Sequence, residues 1–216
     1  HELRSPLARM QAAIGLLRQN PASGAAMIDR IEAESEKLDA LIEELLALHR
    51  LDAGAAQGHS ERVDLVELLQ AIVEDAAFEA QPWAKAVTLD ADGPFIAQVQ
   101  GELIYRAFEN VIRNAVKYSP AGAAVEVSAR AAPGGALVVR VADRGPGVPA
   151  ELQQRIFEPF FRAEDPGRTA GSGLGLTIAH RAVLLHGGGI RVASREAGGL
   201  VVTITLPGTP HPLPLQ

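Results

Sequence analysis

The spacing of apolar residues changes character once along the chain. Near its start, Leu3, Leu7, Met10, Ile14 and Leu17 recur at intervals of 4, 3, 4 and 3 residues. That is the heptad seam of a helix packed against other helices. Asn20-Pro21-Ala22-Ser23-Gly24 interrupts it with turn residues. Ile28, Ile31, Leu38, Ile42 and Leu45 resume the seam, widened by Leu41 and Leu48 and broken by polar positions at Ser35 and His49. The pattern predicts an αα-hairpin. Roughly 50 residues of hairpin cannot bury a wide apolar stripe alone. Two copies are therefore expected to close a dimeric four-helix bundle.

Ala53 to Ser60 is small, polar and Gly-containing, as a linker is. Beyond it the pattern mixes two periods. Helical spacing covers Asp64 to Ala80, Glu102 to Tyr118 and Leu174 to His186, with a short helix near Ala150 to Arg155. Lys85 to Asp90 and Phe95 to Gln100 read as strands around Asp92-Gly93-Pro94. Ala124 to Ala131 with Ala136 to Ala142, and Ile190 to Ser194 with Leu200 to Leu206, alternate as hairpins. The expected organisation is a helical hairpin over 1–53, a linker over 54–61, a second domain over 62–207, and a disordered tail over 208–216 carrying Pro210, Pro212 and Pro214. The fold class is α+β: an N-terminal α-helical hairpin, then an α/β sandwich with antiparallel strands and helices over one face.

Composition narrows the function classes. At 216 residues and 47% hydrophobic the chain can bury a sizeable core, and at 4% aromatic that core must be aliphatic. Of the net charge of −6, a share of −5 falls between Asp29 and Asp52, where eight acids meet three bases. This reads as a solvated helix surface, and the acidic balance argues against a nucleic-acid partner. Absence of Cys excludes disulfides and thiolate metal sites. No apolar run reaches the ~18 residues needed to span a membrane. The chain opens on His1 and not on Met, as a fragment or a processed form would.

Several familiar chemistries are missing. None of the lysines, Lys37, Lys85 and Lys117, follows a glycine, so there is no P-loop. His1-Glu2 does not extend to a zinc-protease motif, because residue 5 is Ser. Gly171, Gly173 and Gly175 are spaced G-x-G-x-G and not G-x-G-x-x-G, and they follow a polar loop and not a strand, so a dinucleotide fold is unsupported. His49, His59, His180, His186 and His211 share no metal-ligand spacing. Trp83 reads as packed or at a domain contact.

Four polar or glycine-rich clusters remain. Asn110, Asn114, Lys117 and Tyr118 share one helix face, offering amide oxygens, an ammonium and an aromatic plane; alone they could be plain helix surface. Asp143-Arg144-Gly145-Pro146-Gly147 follows a strand, with glycines for close approach and a carboxylate acceptor, or is a simple turn. Ile156-Phe157-Glu158-Pro159-Phe160-Phe161-Arg162 crowds three of six Phe into five positions, as a lid anchor or a core plug. Gly171-Ser172-Gly173-Leu174-Gly175-Leu176 opens a helix, as an anion site or a flexible entry.

In order and content these four clusters resemble the N, G1, F and G2 boxes of the ATP-binding domain shared by histidine kinases, gyrase, Hsp90 and MutL. His1-Glu2-Leu3-Arg4-Ser5-Pro6-Leu7 resembles the H box of sensor histidine kinases of two-component systems. The resemblance runs from His1 to about Pro207 and is strongest to Cpx-type envelope-stress sensor kinases of Gram-negative bacteria. It implies that His1 accepts the γ-phosphoryl group of ATP, that Glu2 is its base, and that Ser5 stands where many relatives carry a Thr that positions water for dephosphorylating the regulator. It implies Mg²⁺ at Asn110 and Asn114, phosphate at Lys117, and adenine beside Tyr118 and on Asp143, with Gly145 and Gly147 giving close approach. Phe157, Phe160 and Phe161 would anchor a lid, Arg162 would reach the phosphates, and Gly171, Gly173, Gly175 and Leu176 would fold over them. The loop Ala163 to Ala170, with Arg168, would be its moving part.

The implied activity is autophosphorylation of His1 and transfer to an aspartate of a response regulator receiver domain, with possible phosphatase activity. The implied setting is a homodimer forming the cytoplasmic part of a bacterial inner-membrane sensor. The competing expectations are a non-catalytic scaffold that dimerises and binds ATP, and another ATPase or kinase of the same ATP fold.

Overall fold

A computed structural model describes residues 4–20, 24–52, 59–163, 171–196 and 198–208. His1, Glu2 and Leu3, the turn residues 21–23, most of the expected linker, Ala197, loop residues 164–170 with Arg168, and the tail from 209 lie outside the described residues. The chain divides into two compact units, His1–Arg50 and Leu51–Gln216.

The first unit is helical. α1 spans Arg4–Gln19 and α2 spans Gly24–Asp52. The described seam residues are not all inside: Leu7, Ile14, Ile28 and Ile42 are exposed and Leu41 and Leu48 are buried, while α1 buries Pro6 and Ala13 from outside the seam. One acid departs from the expected solvated surface. Glu34, next to the polar gap at Ser35, is 6% exposed. Its carboxylate is paired with Arg9 of α1 at 2.8 Å and with Lys37 at 2.9 Å, which offsets its desolvation.

The second unit is a sheet covered by helices. Its elements are β1 (Glu61–Asp64), α3 (Leu65–Ala80), β2 (Ala86–Ala91), β3 (Ile96–Val99), α4 (Gly101–Tyr118), β4 (Ala124–Ala131), β5 (Leu137–Ala142), α5 (Gly175–Leu185), β6 (Gly189–Ser194) and β7 (Leu200–Leu206). Two 3-10 turns, Ala150–Leu152 and Arg155–Phe157, replace the short helix expected near Ala150 to Arg155. The main sheet has the order β2-β4-β5-β7-β6.

Two expectations about the strands are corrected. The sheet is not wholly antiparallel, because β2 pairs with β4 in parallel, Val87 opposite Val125. β2 and β3 do not pair around Asp92-Gly93-Pro94: β3 joins β1 in a separate two-stranded sheet, Val63 opposite Ala97. β1 itself begins at Glu61, inside the stretch read as linker. Asp64 explains the separation. Its Oδ1 caps α3 by accepting from the N–H groups of Val66 and Glu67, and it also accepts from Phe95 N–H at 3.0 Å. One carboxylate thus starts a helix and pins the entry to β3.

The core lies between the helices and one sheet face. Alternation along β5 buries Leu137, Val139 and Val141, and along β7 it buries Leu200, Val202, Ile204 and Leu206. α4 answers with Ile104, Ala107, Phe108, Val111, Ile112 and Ala115, a stripe at helical spacing. His186 after α5 fastens α5 to α4: Nδ1–H donates to Ala182 O at 2.7 Å, and Nε2 accepts from Gln100 N–H at 3.0 Å. This orientation leaves the adjoining face of α4, with Asn110 and Asn114, half-buried. Trp83 is 63% exposed, so it is not packed in the core.

Phe108 is 1% exposed. Phe108→Ala is expected to cost about 3–5 kcal/mol of unfolding free energy, measured by urea titration with circular dichroism. A loss below about 1 kcal/mol would contradict its place at the centre of the core.

Candidate functional site

The site begins where β5 ends. The antiparallel register sets Ala142 opposite Val201, which brings Asp143 opposite Leu200. The ladder then runs one residue further through a side chain. Asp143 N–H donates to Leu200 O at 3.0 Å, and Leu200 N–H donates to Asp143 Oδ1 at 3.1 Å. Gly145 N–H donates to the same Oδ1 at 2.7 Å. Both hydrogen bonds therefore fall on one oxygen, and Oδ2 is left for another donor.

Asp143 is 6% exposed. Burial pushes its carboxyl above the ordinary value of 3.8, against the pull of the Gly145 and Leu200 N–H groups and of Arg195. A group held in this way is costly to the fold, a common mark of a binding or catalytic position.

Glycines line the approach. A Cβ on Gly145 would lie 2.9 Å from Tyr118 O and 3.0 Å from Asp143 Oδ1. Gly147 has φ +74° and faces Gly199, whose own Cβ would overlap Asp143 O. Side chains are excluded here, so backbone approaches the carboxylate from two loops. Gly199 was not legible in sequence as part of this site, because its role depends on a contact 56 positions away in the chain.

The other clusters converge on the same end of the sheet. Asn110 Nδ2 donates to Arg106 O at 2.9 Å, and its Oδ1 lies 2.6 Å from where a Cβ on Gly175 would stand. Lys117 Nζ sits 5.3 Å from the Tyr118 ring centroid and against Gly171, where an added Cβ would overlap it. Gly173, at φ +75°, packs against the backbone of Phe160 and Phe161, and Gly173 O accepts from Phe160 N–H at 3.1 Å. Ser172 Oγ accepts from Leu174 N–H at 3.1 Å as the chain turns into α5. Leu176 packs half-buried on the core.

Phe157 lies against His180 of α5, ring centroids 5.0 Å apart, and Arg155 covers Phe161 at 4.4 Å. Burial, with Arg181 nearby, lowers the His180 pKa. Arg162 is exposed, and Asn114 is half-buried one turn after Asn110. Ser5 belongs to the other unit.

A group beside the site was not legible in sequence. Glu126 of β4 accepts from Arg195 at 3.1 and 3.2 Å and from Arg144 at 3.1 Å, which holds its pKa below the ordinary carboxylate value. Ser119 Oγ accepts from Arg144 N–H at 3.4 Å. Arg144 and Arg195 thus flank Asp143 with positive charge.

For a hard cation the donor set is limited. Among the described residues no group of three or more His, Cys, Asp or Glu could hold a metal. The amide oxygens of Asn110 and Asn114 are of the right chemical type, but a cation there needs further oxygen ligands, as phosphates supply to Mg²⁺.

A buried acceptor, glycine-lined approaches, an ammonium and a helix N-terminus are the features a nucleotide-binding domain requires. Residues 100–210 match the family described as "Histidine kinase-, DNA gyrase B-, and HSP90-like ATPase", and residues 1–54 match the "His Kinase A (phospho-acceptor) domain". The sensor histidine kinase CpxA of Escherichia coli (strain K12) is 34% identical over 210 residues, 96% of this chain and 45% of that protein. The sensor protein kinase PmrB of Pseudomonas aeruginosa is 34% identical over 213 residues, 97% of this chain and 44% of that protein. Among solved structures, the mycobacterial sensor histidine kinase MprB superposes with TM-score 0.63 at 31% identity, covering 70% of this chain and 99% of that one. Full-length ShkA in complex with AMPPNP superposes with TM-score 0.75 at 28% identity, covering 88% of this chain and 40% of that one. The chain belongs to the sensor histidine kinase family and carries its phospho-acceptor and ATP-binding domains. It spans less than half the length of CpxA and of PmrB.

Because the Asp143 pKa is raised on folding, the native state holds its proton more tightly than the unfolded state. Its contribution to stability therefore falls as pH rises from the ordinary 3.8 through the raised value. Asn can accept the same two N–H bonds without that cost. Urea midpoints of Asp143→Asn relative to wild type should improve between pH ~4 and pH ~7, leaving the variant at least as stable at neutrality. A variant clearly less stable at neutral pH would contradict this.

Proposed function

We propose that the chain is the catalytic core of a sensor histidine kinase, using ATP to phosphorylate His1 and then passing the phosphoryl group to an aspartate of a response regulator receiver domain. The observation that carries this reading is Asp143, a buried carboxylate with one oxygen tied down by two N–H groups and the other free. A free carboxylate oxygen accepts from the exocyclic amine of adenine, which a guanine carbonyl could not replace.

Each residue then has a task. Asp143 holds the base, and Gly145 and Gly147 let the ring approach it. Tyr118 packs near the base, and Lys117, Arg162 and the Gly171-to-Leu176 turn meet the phosphates. Phe157, Phe160 and Phe161 would anchor a lid at this site. Mg²⁺ would be held by Asn110 and Asn114 together with phosphate oxygens, and it would neutralise charge developing on the phosphoryl group.

His1 supplies the nucleophile. A neutral imidazole, with a free pKa of ~6.5, is competent near neutrality. The unprotonated ring nitrogen bonds to the γ-phosphorus as the bond to the ADP oxygen breaks, and Glu2 takes the proton from the other ring nitrogen. The resulting phosphoramidate can be attacked by an aspartate carboxylate of the receiver domain. Ser5 would serve the reverse task, orienting water to hydrolyse the phospho-aspartate.

The exposed apolar positions Leu7, Ile14, Ile28 and Ile42 support pairing of two hairpins as a homodimer. No described helix is long and apolar enough to cross a membrane. The chain reads as the cytoplasmic portion of an inner-membrane sensor protein.

His1→Gln should abolish acid-labile ³²P incorporation from γ-labelled ATP while leaving nucleotide affinity unchanged. Label retained by the variant would remove the claim for His1. In titration calorimetry with an ATP analogue and Mg²⁺, Asp143→Asn should weaken binding by about ten- to a hundredfold, the loss of one hydrogen bond to a charged group. Unchanged affinity would show that the base is held elsewhere.

A further inference from the structure

Glu34 is buried in a helix whose other described acids are exposed or half-exposed. Its Oε2 accepts from Arg9 Nε at 2.8 Å and stands 2.8 Å from Arg9 Nη2, a two-point contact between α2 and α1. Its Oε1 accepts from Lys37 Nζ at 2.9 Å. With Nε and Nη2 committed to Glu34, the third guanidinium nitrogen of Arg9, Nη1, donates to Ser5 Oγ at 2.7 Å. The Arg9 hydrogen bond, then that of Lys37, holds the Glu34 carboxyl below the ordinary 4.5. Glu34 therefore stays ionised near neutrality and keeps its grip on Arg9.

The hydroxyl at the end of this chain is a serine. In a helix a threonine's β-branch narrows χ1 to two rotamers, whereas serine has no such restraint. The guanidinium fills one of the two lone pairs of Ser5 Oγ. The second lone pair and the O–H stay available, and rotation about χ1 would break the contact with Arg9.

We propose that Arg9, oriented by Glu34, is a positioning residue that holds the Ser5 hydroxyl in the rotamer needed to orient water for phospho-aspartate hydrolysis. This rests on the reading of Ser5 given above. In that step the water oxygen bonds to phosphorus as the bond to the aspartate oxygen breaks. The carboxylate leaves with the electron pair, a water proton passes to solvent, and the products are aspartate and inorganic phosphate. The ionic clamp supplies the restraint that a methyl group would otherwise provide.

A pair that merely staples α1 to α2 would affect every activity of the chain alike. Two readouts separate the roles: autophosphorylation from γ-labelled ATP, and dephosphorylation of the receiver domain that takes label from this chain, recharged with phosphoramidate. Arg9→Ala and Glu34→Gln should each slow dephosphorylation about tenfold, as a displaced catalytic group does, with autophosphorylation within about twofold of wild type. In a Ser5→Ala background neither substitution should lower dephosphorylation further. In a Ser5→Thr background most of the lost rate should return. Parallel loss of both activities, a further loss on Ser5→Ala, or no recovery with Ser5→Thr would overturn the proposal. If Ser5→Ala alone leaves dephosphorylation unchanged, the reading of Ser5 fails and the clamp's role falls with it, while the assignment of His1 stands on its own labelling.

Discussion

The ATP-binding unit is organised around one oxygen atom. Asp143 Oδ1 accepts N–H groups from Gly145, two residues on, and from Leu200, on the neighbouring strand. The first bond shapes the glycine turn, and the second extends the β5–β7 ladder past the last backbone pair. Together they fix the carboxylate plane and leave its other oxygen open. Removing water from a carboxylate is costly, and the raised pKa shows that two N–H bonds do not fully repay it. The fold tolerates this cost at the point where the proposed function needs an acceptor for the base.

The rest of the unit serves that placement. The alternating strands and the α4 stripe bury an aliphatic core with Phe108 at its centre. The core fixes where α4 ends, and Tyr118 O at that end meets Gly145. His186 locks α5 to the start of α4, so Asn110 faces Gly175 at the opposite terminus of α5. Glycines recur at each contact because backbone, and not side chains, makes the close approaches. Burial, topology and site geometry are thus one arrangement seen at three scales.

What could be read from sequence follows from how local each feature is. Helices α1 to α5 were legible because their apolar positions repeat every three or four residues. The Asp143-to-Gly147 turn was legible because its donor and acceptor are nearly adjacent. The parallel pairing of β2 with β4 was not, since period-2 alternation says nothing about which strand lies alongside. Nor was the burial of Glu34. Its neighbours in sequence are solvated, and of the two cations that compensate it, the one that ties it to α1, Arg9, is 25 residues away. Gly199, Glu126 and Arg195 were missed for the same reason: each acts on Asp143 or its surroundings through contacts between distant segments. The H-box residues His1 and Glu2 were legible by motif, and they lie outside the described residues.

The central claim is that the open oxygen of Asp143 reads the adenine. A crystal structure of the chain with AMPPNP and Mg²⁺ tests it most directly. The account predicts the adenine amino group within hydrogen-bond distance of Asp143 Oδ2, with the triphosphate beside Asn110 and the Gly171-to-Leu176 turn. A bound base elsewhere, with Asp143 Oδ2 facing only water or protein, would contradict it.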